Sequence, residues 1–189
     1  MSLTDSSAQL AQRLKAEREA RNWSLAELAE RSGVSKAMIS KIERDEVSPT
    51  AALLGRLSGA FGLSLSQMLA RAEQGGGQLA RAAEQPLWRD PETGFTRRAL
   101  TPPGGPPTPL ELVWGELPPG QSVDYPAAAF AFIQDQQIVL LEGMLHFTQG
   151  AVLHELGAGD CLRLGPPEAC RFHNPGDAPC RYLVVLLRR

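Results

Sequence analysis

The sequence predicts a two-domain fold, an all-α N-terminal domain followed by an all-β barrel. Three observations carry this. Up to about residue 72, apolar residues recur at helical spacing and Pro49 is the only proline. The composition then changes at Gly75-Gly76-Gly77, and every other proline follows. Beyond that point come short apolar runs of about 5–8 residues, each bounded by Gly/Pro turns, which read as strands. The boundaries are a helical domain over 6–72, a linker over 73–86 and a β domain over 87–189.

Bulk properties exclude several classes. A chain of 189 residues is long enough for two small domains. Its formal charge of −2 is unevenly spread, with +2 on residues 1–72 and −4 on the remainder. A basic head on an acidic body suits nucleic-acid contact at one end. No apolar run approaches membrane-spanning length, and MSLTDSSAQL lacks the basic-then-apolar pattern of an export signal. Cys161, Cys170 and Cys180 form no paired spacing, which suits reduced thiols in a cytoplasmic protein.

The helices follow in order. Leu10, Leu14 and Arg18 share one face of a first helix that ends near Asn22. Ser24 and Glu27 form a capping box for a second helix, Leu25 to about Arg31, stopped by Gly33. Ser35 caps a third, reaching about Arg44. Ser48-Pro49 reads as a cap and first helical position for a fourth helix through Leu57. Ser64 and Gln67 form a second capping box, for a fifth helix ending near Arg71.

Residues 24–46 thus supply two short helices joined by a tight glycine turn. Leu25, Leu28 and Ala29 face Val34, Ile39 and Ile42, which fixes the angle between them. Ser35, Lys36, Ala37, Ser40, Lys41 and Arg44 are left on a free face. Such a face offers cationic donors to guanine edges and small side chains for close approach in a major groove.

The run S-L-A-E-L-A-E-R-S-G-V-S-K-A-M-I-S-K-I-E-R resembles the helix-turn-helix of the Xre family, the Cro and phage-repressor type. The likeness extends through S-P-T-A-A-L-L-G-R-L-S-G-A-F-G-L-S-L-S-Q-M-L and implies a lambda-repressor-like five-helix DNA-binding domain. It places Lys36, Ala37 and Lys41 against bases with Ser40 beside them, and Arg44, Ser48 and Arg13 against phosphates. Two positions depart from the pattern. Leu25 stands where a phosphate-binding glutamine is common, and Asp45-Glu46 where a glycine and a base are usual. One head therefore binds weakly, and two half-sites are needed for specificity.

In the C-terminal half the predicted strands are Thr96–Leu100, Leu110–Glu116, Gln137–Leu141, Met144–Thr148, Val152–Leu156, Cys161–Leu164 and Arg181–Leu187. Turns fall at Pro118-Pro119-Gly120, Glu142-Gly143, Gly157–Asp160 and Asn174–Asp177. His146 and His154 lie on neighbouring strands as candidate cross-strand partners. Cys170 and His173, three residues apart, point to opposite faces.

P-P-G-Q-S at 118–122, V-L-L-E-G-M-L at 139–145, H-E-L-G-A-G-D-C-L at 154–162 and F-H-N-P-G-D-A-P-C-R-Y-L-V-V-L at 172–186 resemble the cupin barrel, the double-stranded β-helix or jelly roll, fused to Xre-type heads. Carried over by position, its metal-ligand slots fall on Val123-Asp124-Tyr125, Gln136 and Cys170. These residues make a poor metal site, so no metal or other cofactor is expected. What remains is a ligand pocket drawn from Tyr125, Gln136, Arg163 and Cys170, with Arg163 suited to an anion.

The reading is a homodimeric transcriptional regulator on a pseudo-palindromic double-stranded operator. Its cupin pairs the chains or senses a small-molecule effector. No membrane partner and no catalysis are expected. The alternatives are a cupin enzyme, metal-independent or with an atypical metal, fused to a DNA-binding head, or an antitoxin-like repressor gripping a protein partner.

Overall fold

The computed structural model describes residues 3–69, 78–102 and 108–188. The helices are α1 (Leu3–Ala20), α2 (Leu25–Ser32), α3 (Lys36–Glu43), α4 (Ala51–Phe61) and α5 (Leu65–Leu69). The predicted end of α5 near Arg71 and the glycine run 75–77 lie outside the described residues. Both capping boxes form. Ser24 Oγ accepts from Glu27 N–H at 3.2 Å while the Glu27 carboxylate accepts from Ser24 N–H at 2.7 Å. Ser64 and Gln67 exchange the same pair of bonds at 3.0 and 2.9 Å. Gly33 turns α2 into α3 at φ 66°, a left-handed conformation that a Cβ would strain. Leu10, Leu14, Leu28, Ile39, Ile42 and Leu54 are fully buried, the inward faces that the helical spacing marks.

The start of α4 differs from the sequence reading. Its cap is Thr50, not Ser48, and the helix runs to Phe61 rather than Leu57. Ser48 lies ahead of the helix, where the following proline disfavours helical backbone. The first helical N–H, on Ala51, instead finds Asp90 Oδ2 at 2.7 Å, a partner 39 residues away.

The β half contains β1 (Leu87–Arg89), β2 (Thr96–Ala99), β3 (Leu110–Leu117), β4 (Ser122–Tyr125), β5 (Ile133–Glu142), β6 (Met144–Gln149), β7 (Val152–Gly157), β8 (Cys161–Arg163), β9 (Cys170–His173) and β10 (Cys180–Arg188). A 3-10 turn over Ala127–Phe130 links β4 to β5. One sheet has the order β1-β2-β3-β10-β5-β8 and the other β4-β9-β6-β7, with every pair antiparallel. Leaving aside β1 and β2, β3 to β10 alternate between the sheets except at the β6–β7 hairpin, as in a jelly roll, with the first strand β3 paired to the last, β10. The cupin-like barrel is therefore explicit in the strand order. The sequence reading omitted β1, β4 and β9, each only three or four residues long.

The histidine pairing also differs. In the β6–β7 register His146 lies opposite Glu155 and His154 opposite Phe147, so the two histidines occupy opposite faces. His146 instead faces His173 of β9, ring centroids 5.9 Å apart. Cys170 is buried while His173 is half-exposed and bonds Ser122 through Nδ1, in keeping with their opposed faces.

One hydrophobic cluster runs through both halves, from Leu10 and Leu57 to Tyr125 and Ile138. Helix α4 lies on β4 and the 3-10 turn. Two glycines permit this approach: a Cβ on Gly55 would sit 3.0 Å from the Tyr125 ring, and one on Gly59 only 2.8 Å from the Ala128 carbonyl oxygen. Polar contacts complete the seam. Ser64 Oγ donates to Glu111 at 2.8 Å, and Arg97 donates to Ser66 Oγ at 3.0 Å.

Candidate nucleic-acid interface and barrel cavity

Helix α3 presents its outer face to solvent. Ser35, Lys36, Ala37, Lys41 and Arg44 are exposed, Ser40 and Ser48 half-exposed, while Ile39 and Ile42 anchor the opposite side. Ser35 Oγ is committed to the cap, accepting from Met38 N–H at 3.2 Å. Neither Lys36 nor Lys41 forms an ion pair with a described residue, so both ammonium groups can reach a polyanion.

The two arginines assigned to phosphates sit differently. Arg44 grips Glu46 with both arms, at 2.7 and 3.0 Å, and also contacts Ser40 Oγ. That pairing raises the Arg44 pKa and holds the Glu46 carboxyl below its ordinary range. Arg13 bonds Glu17 one turn along α1 at 2.6 Å, with its Nε buried and unpartnered. The position of α3 is fixed from behind by Arg18. It spans to Glu43 with bonds of 2.7 and 2.8 Å in a largely buried pair, which raises its own pKa.

The four residues assigned to a barrel pocket divide between two places. Tyr125 and Gln136 line a cavity inside the barrel. Gln136 also borders an outer cleft shared with Arg163 and Cys170. Arg163 is exposed there and clamped bidentately by Asp135 at 3.0 and 2.9 Å. Cys170 pairs across strands with Tyr125. Burial pushes the Cys170 thiol up to about 12 and the Tyr125 phenol higher still. A protonated thiol, a protonated phenol and a neutral amide do not fit a transition metal, which binds thiolate, imidazole or carboxylate. Among the described residues no cluster of three His, Cys, Asp or Glu side chains converges.

The sequence reading missed Arg97. It is only 8% exposed and lines the interior cavity. The signal lay in T-R-R-A: adjacent strand residues face opposite ways, so one of the two arginines had to point inward. Arg98, on the outer face, stacks over Trp114 at 4.9 Å.

Comparison with known proteins fits this geometry. Residues 14–68 match the HTH_3 helix-turn-helix family model. The chain carries an Xre-type, HTH_3 DNA-binding domain. Over 56 residues, 30% of this chain, it is 46% identical to the HTH-type transcriptional regulator SutR of Escherichia coli K12, and the match spans 32% of that relative's length. The crystal structure of an HTH_3 family transcriptional regulator from Vibrio cholerae is similar along the whole chain. It is 25% identical, with a TM-score of 0.81 over 100% of this chain and 99% of that one. The Cupin_2 domain of an XRE family regulator from Enterobacter cloacae overlaps 50% of this chain and 97% of its own, at 14% identity and a TM-score of 0.45. The HTH_3 domain is thus joined to a cupin-like barrel whose class rests on its own strand order. No helix among the described residues is long and apolar enough to cross a membrane.

Proposed function

We propose that this chain is a cytoplasmic transcriptional regulator that binds a pseudo-palindromic operator as a homodimer. The observation that carries the reading is the free face of α3 within an HTH_3 domain. Ala37 is small enough for close approach, and Lys36 and Lys41 are uncommitted cations flanking it. Lys36, Ala37, Ser40 and Lys41 form the base-reading edge, and Ser35, Ser48, Arg44 and Arg13 contact the backbone around it. Arg44 must exchange Glu46 for phosphate to do so, which weakens a single head and favours two.

The barrel pairs the chains. Leu141, Met144, Val152 and Leu153, on β5, β6 and β7, are about half exposed. Met144, Val152 and Leu153 lie on the paired strands β6 and β7, and apolar side chains left in water there support a second copy covering them. The domain division at 6–72, 73–86 and 87–189 belongs to the same reading, as does a small-molecule effector in the barrel. No catalytic step is assigned.

The test is selection of bound duplexes from a random pool, with footprinting and mass measurement of the complex. Two copies on two inverted half-sites one helical turn apart, about 34–36 Å, are expected. One copy on a single asymmetric site would overturn the dimeric reading, and no enriched sequence would overturn the regulator.

A further inference from the structure

The cavity inside the barrel has a volume of about 60 Å³ and is roofed by the helical domain through Ser64 and Leu65. That is several times what one water needs, roughly 10–15 Å³. Its walls are mostly apolar, including Phe95, Val113, Phe130, Phe132 and Leu186. Into this chamber β2 sets Arg97, whose hydrogen bond goes to the neutral Ser66 hydroxyl. No carboxylate among the described residues pairs with it. Glu111 on the adjacent β3 meets Arg188 and Ser64 through Oε1, each at 2.8 Å, and its Oε2 is buried without a hydrogen-bond partner. Burial pulls the guanidinium pKa down from its ordinary value, and the nearby Tyr125, Glu111 and Tyr182 offset that only in part. Tyr125, Tyr182 and Gln136 add neutral polar groups around the same space.

We propose that this cavity is a receptor for a small apolar monocarboxylate, its carboxylate on Arg97 and its body against the aromatic wall, directly beneath α5. A single cation in an apolar chamber neutralises one negative charge. A phosphate dianion would leave a second uncompensated, and an uncharged ligand would leave Arg97 as it is. The planar fork matches a carboxylate bidentately, a stronger contact than a serine hydroxyl offers. An acid in the cavity therefore draws Arg97 from Ser66 and releases one of the ties holding α5 to the barrel. This deepens the regulator reading, since α5 belongs to the DNA-binding domain and packs on α1 and α4.

Calorimetric titration of the full chain with butyrate and benzoate tests the site, against butyramide and benzamide as uncharged controls. Saturable binding of at least one acid is expected, with its amide at least about tenfold weaker, a factor equal to about 1.4 kcal/mol. Arg97→Met keeps the fold, because it replaces an unpaired buried charge with an apolar chain, and it abolishes the preference for acid. Folding of that variant is checked by circular dichroism and by retained operator binding. Wild-type chain that binds neither acid, binds amides equally well, or keeps its acid binding as R97M overturns the site. Operator affinity of the wild-type chain should change severalfold with the bound acid and stay constant in R97M. Unchanged wild-type affinity overturns the coupling alone, and operator binding without any acid response leaves the regulator standing while removing the receptor.

Discussion

Replacing Asp90 should weaken the whole molecule, although it lies in a turn of the barrel and α4 lies in the head. Asp90 is 3% exposed and its carboxylate accepts three N–H groups: Ala51 at 2.7 Å, Glu92 at 2.8 Å and Thr93 at 3.2 Å. The latter two lie in a partly exposed turn and can turn to water. The Ala51 N–H is buried, so Asp90→Ala removes a charged cap and orphans a donor. Loss of a cap costs about 0.5–2 kcal/mol. An orphaned buried donor costs about 1–3 kcal/mol, so a total of about 2–4 kcal/mol is expected. Asp90→Asn keeps one acceptor oxygen and should cost about half as much, on the same reasoning. Thr50→Ala loses only a 3.4 Å bond to Leu53 N–H and should cost about 0.5–1 kcal/mol. Urea unfolding midpoints at constant slope give all three values. If Thr50→Ala proves as costly as Asp90→Ala, α4 is capped locally and the cross-domain account fails.

Other outcomes follow from the same geometry. Lys36→Ala and Lys41→Ala should each lower affinity for a selected operator by about 1–3 kcal/mol, measured by anisotropy titration; unchanged binding in both would remove α3 as the reading helix. Glu46→Gln frees Arg44 for phosphate and should tighten binding while steepening the log–log salt slope by about 1; a flat response would mean Arg44 never leaves the protein. In the folded chain near pH 7 only the exposed Cys161 should react with iodoacetamide, because burial pushes Cys170 and Cys180 up to about 12; mass spectrometry after a short pulse reads this directly. These raised pKa values also favour the folded state fully below the ordinary thiol value of 9.0 and progressively less as pH climbs towards 12, so urea midpoints should fall across that window.

Features fixed by neighbours in sequence were legible, and features fixed by neighbours in space were not. Ser24 with Glu27 and Ser64 with Gln67 are complete three-residue devices, so both helix starts could be read directly. The start of α4 could not, because its decisive acceptor belongs to Asp90. Strand β4 reads S-V-D-Y, too short for a clear alternation, and it exists because β9 lies beside it. His146 and His154 miss each other by a single register step, and one step changes the face. The exposed face of α3 was visible in the helical spacing. For Arg97, alternation in T-R-R-A shows only that one of the two arginines faces inward; which one is set by the helix laid over the strand.

The glycines of α4 have a mechanical consequence. Gly55 and Gly59 let the helix sit directly against the Tyr125 ring and the Ala128 backbone, with no side chain of its own between them to act as a bearing. Helix α3 is therefore aimed by a rigid mount rather than swung on a tether. In a pair of such molecules the gap between the two heads is a dimension of the folded barrels, like the set width of a gauge. Operator spacing would then be altered by repacking a core, and hardly at all by lengthening the chain.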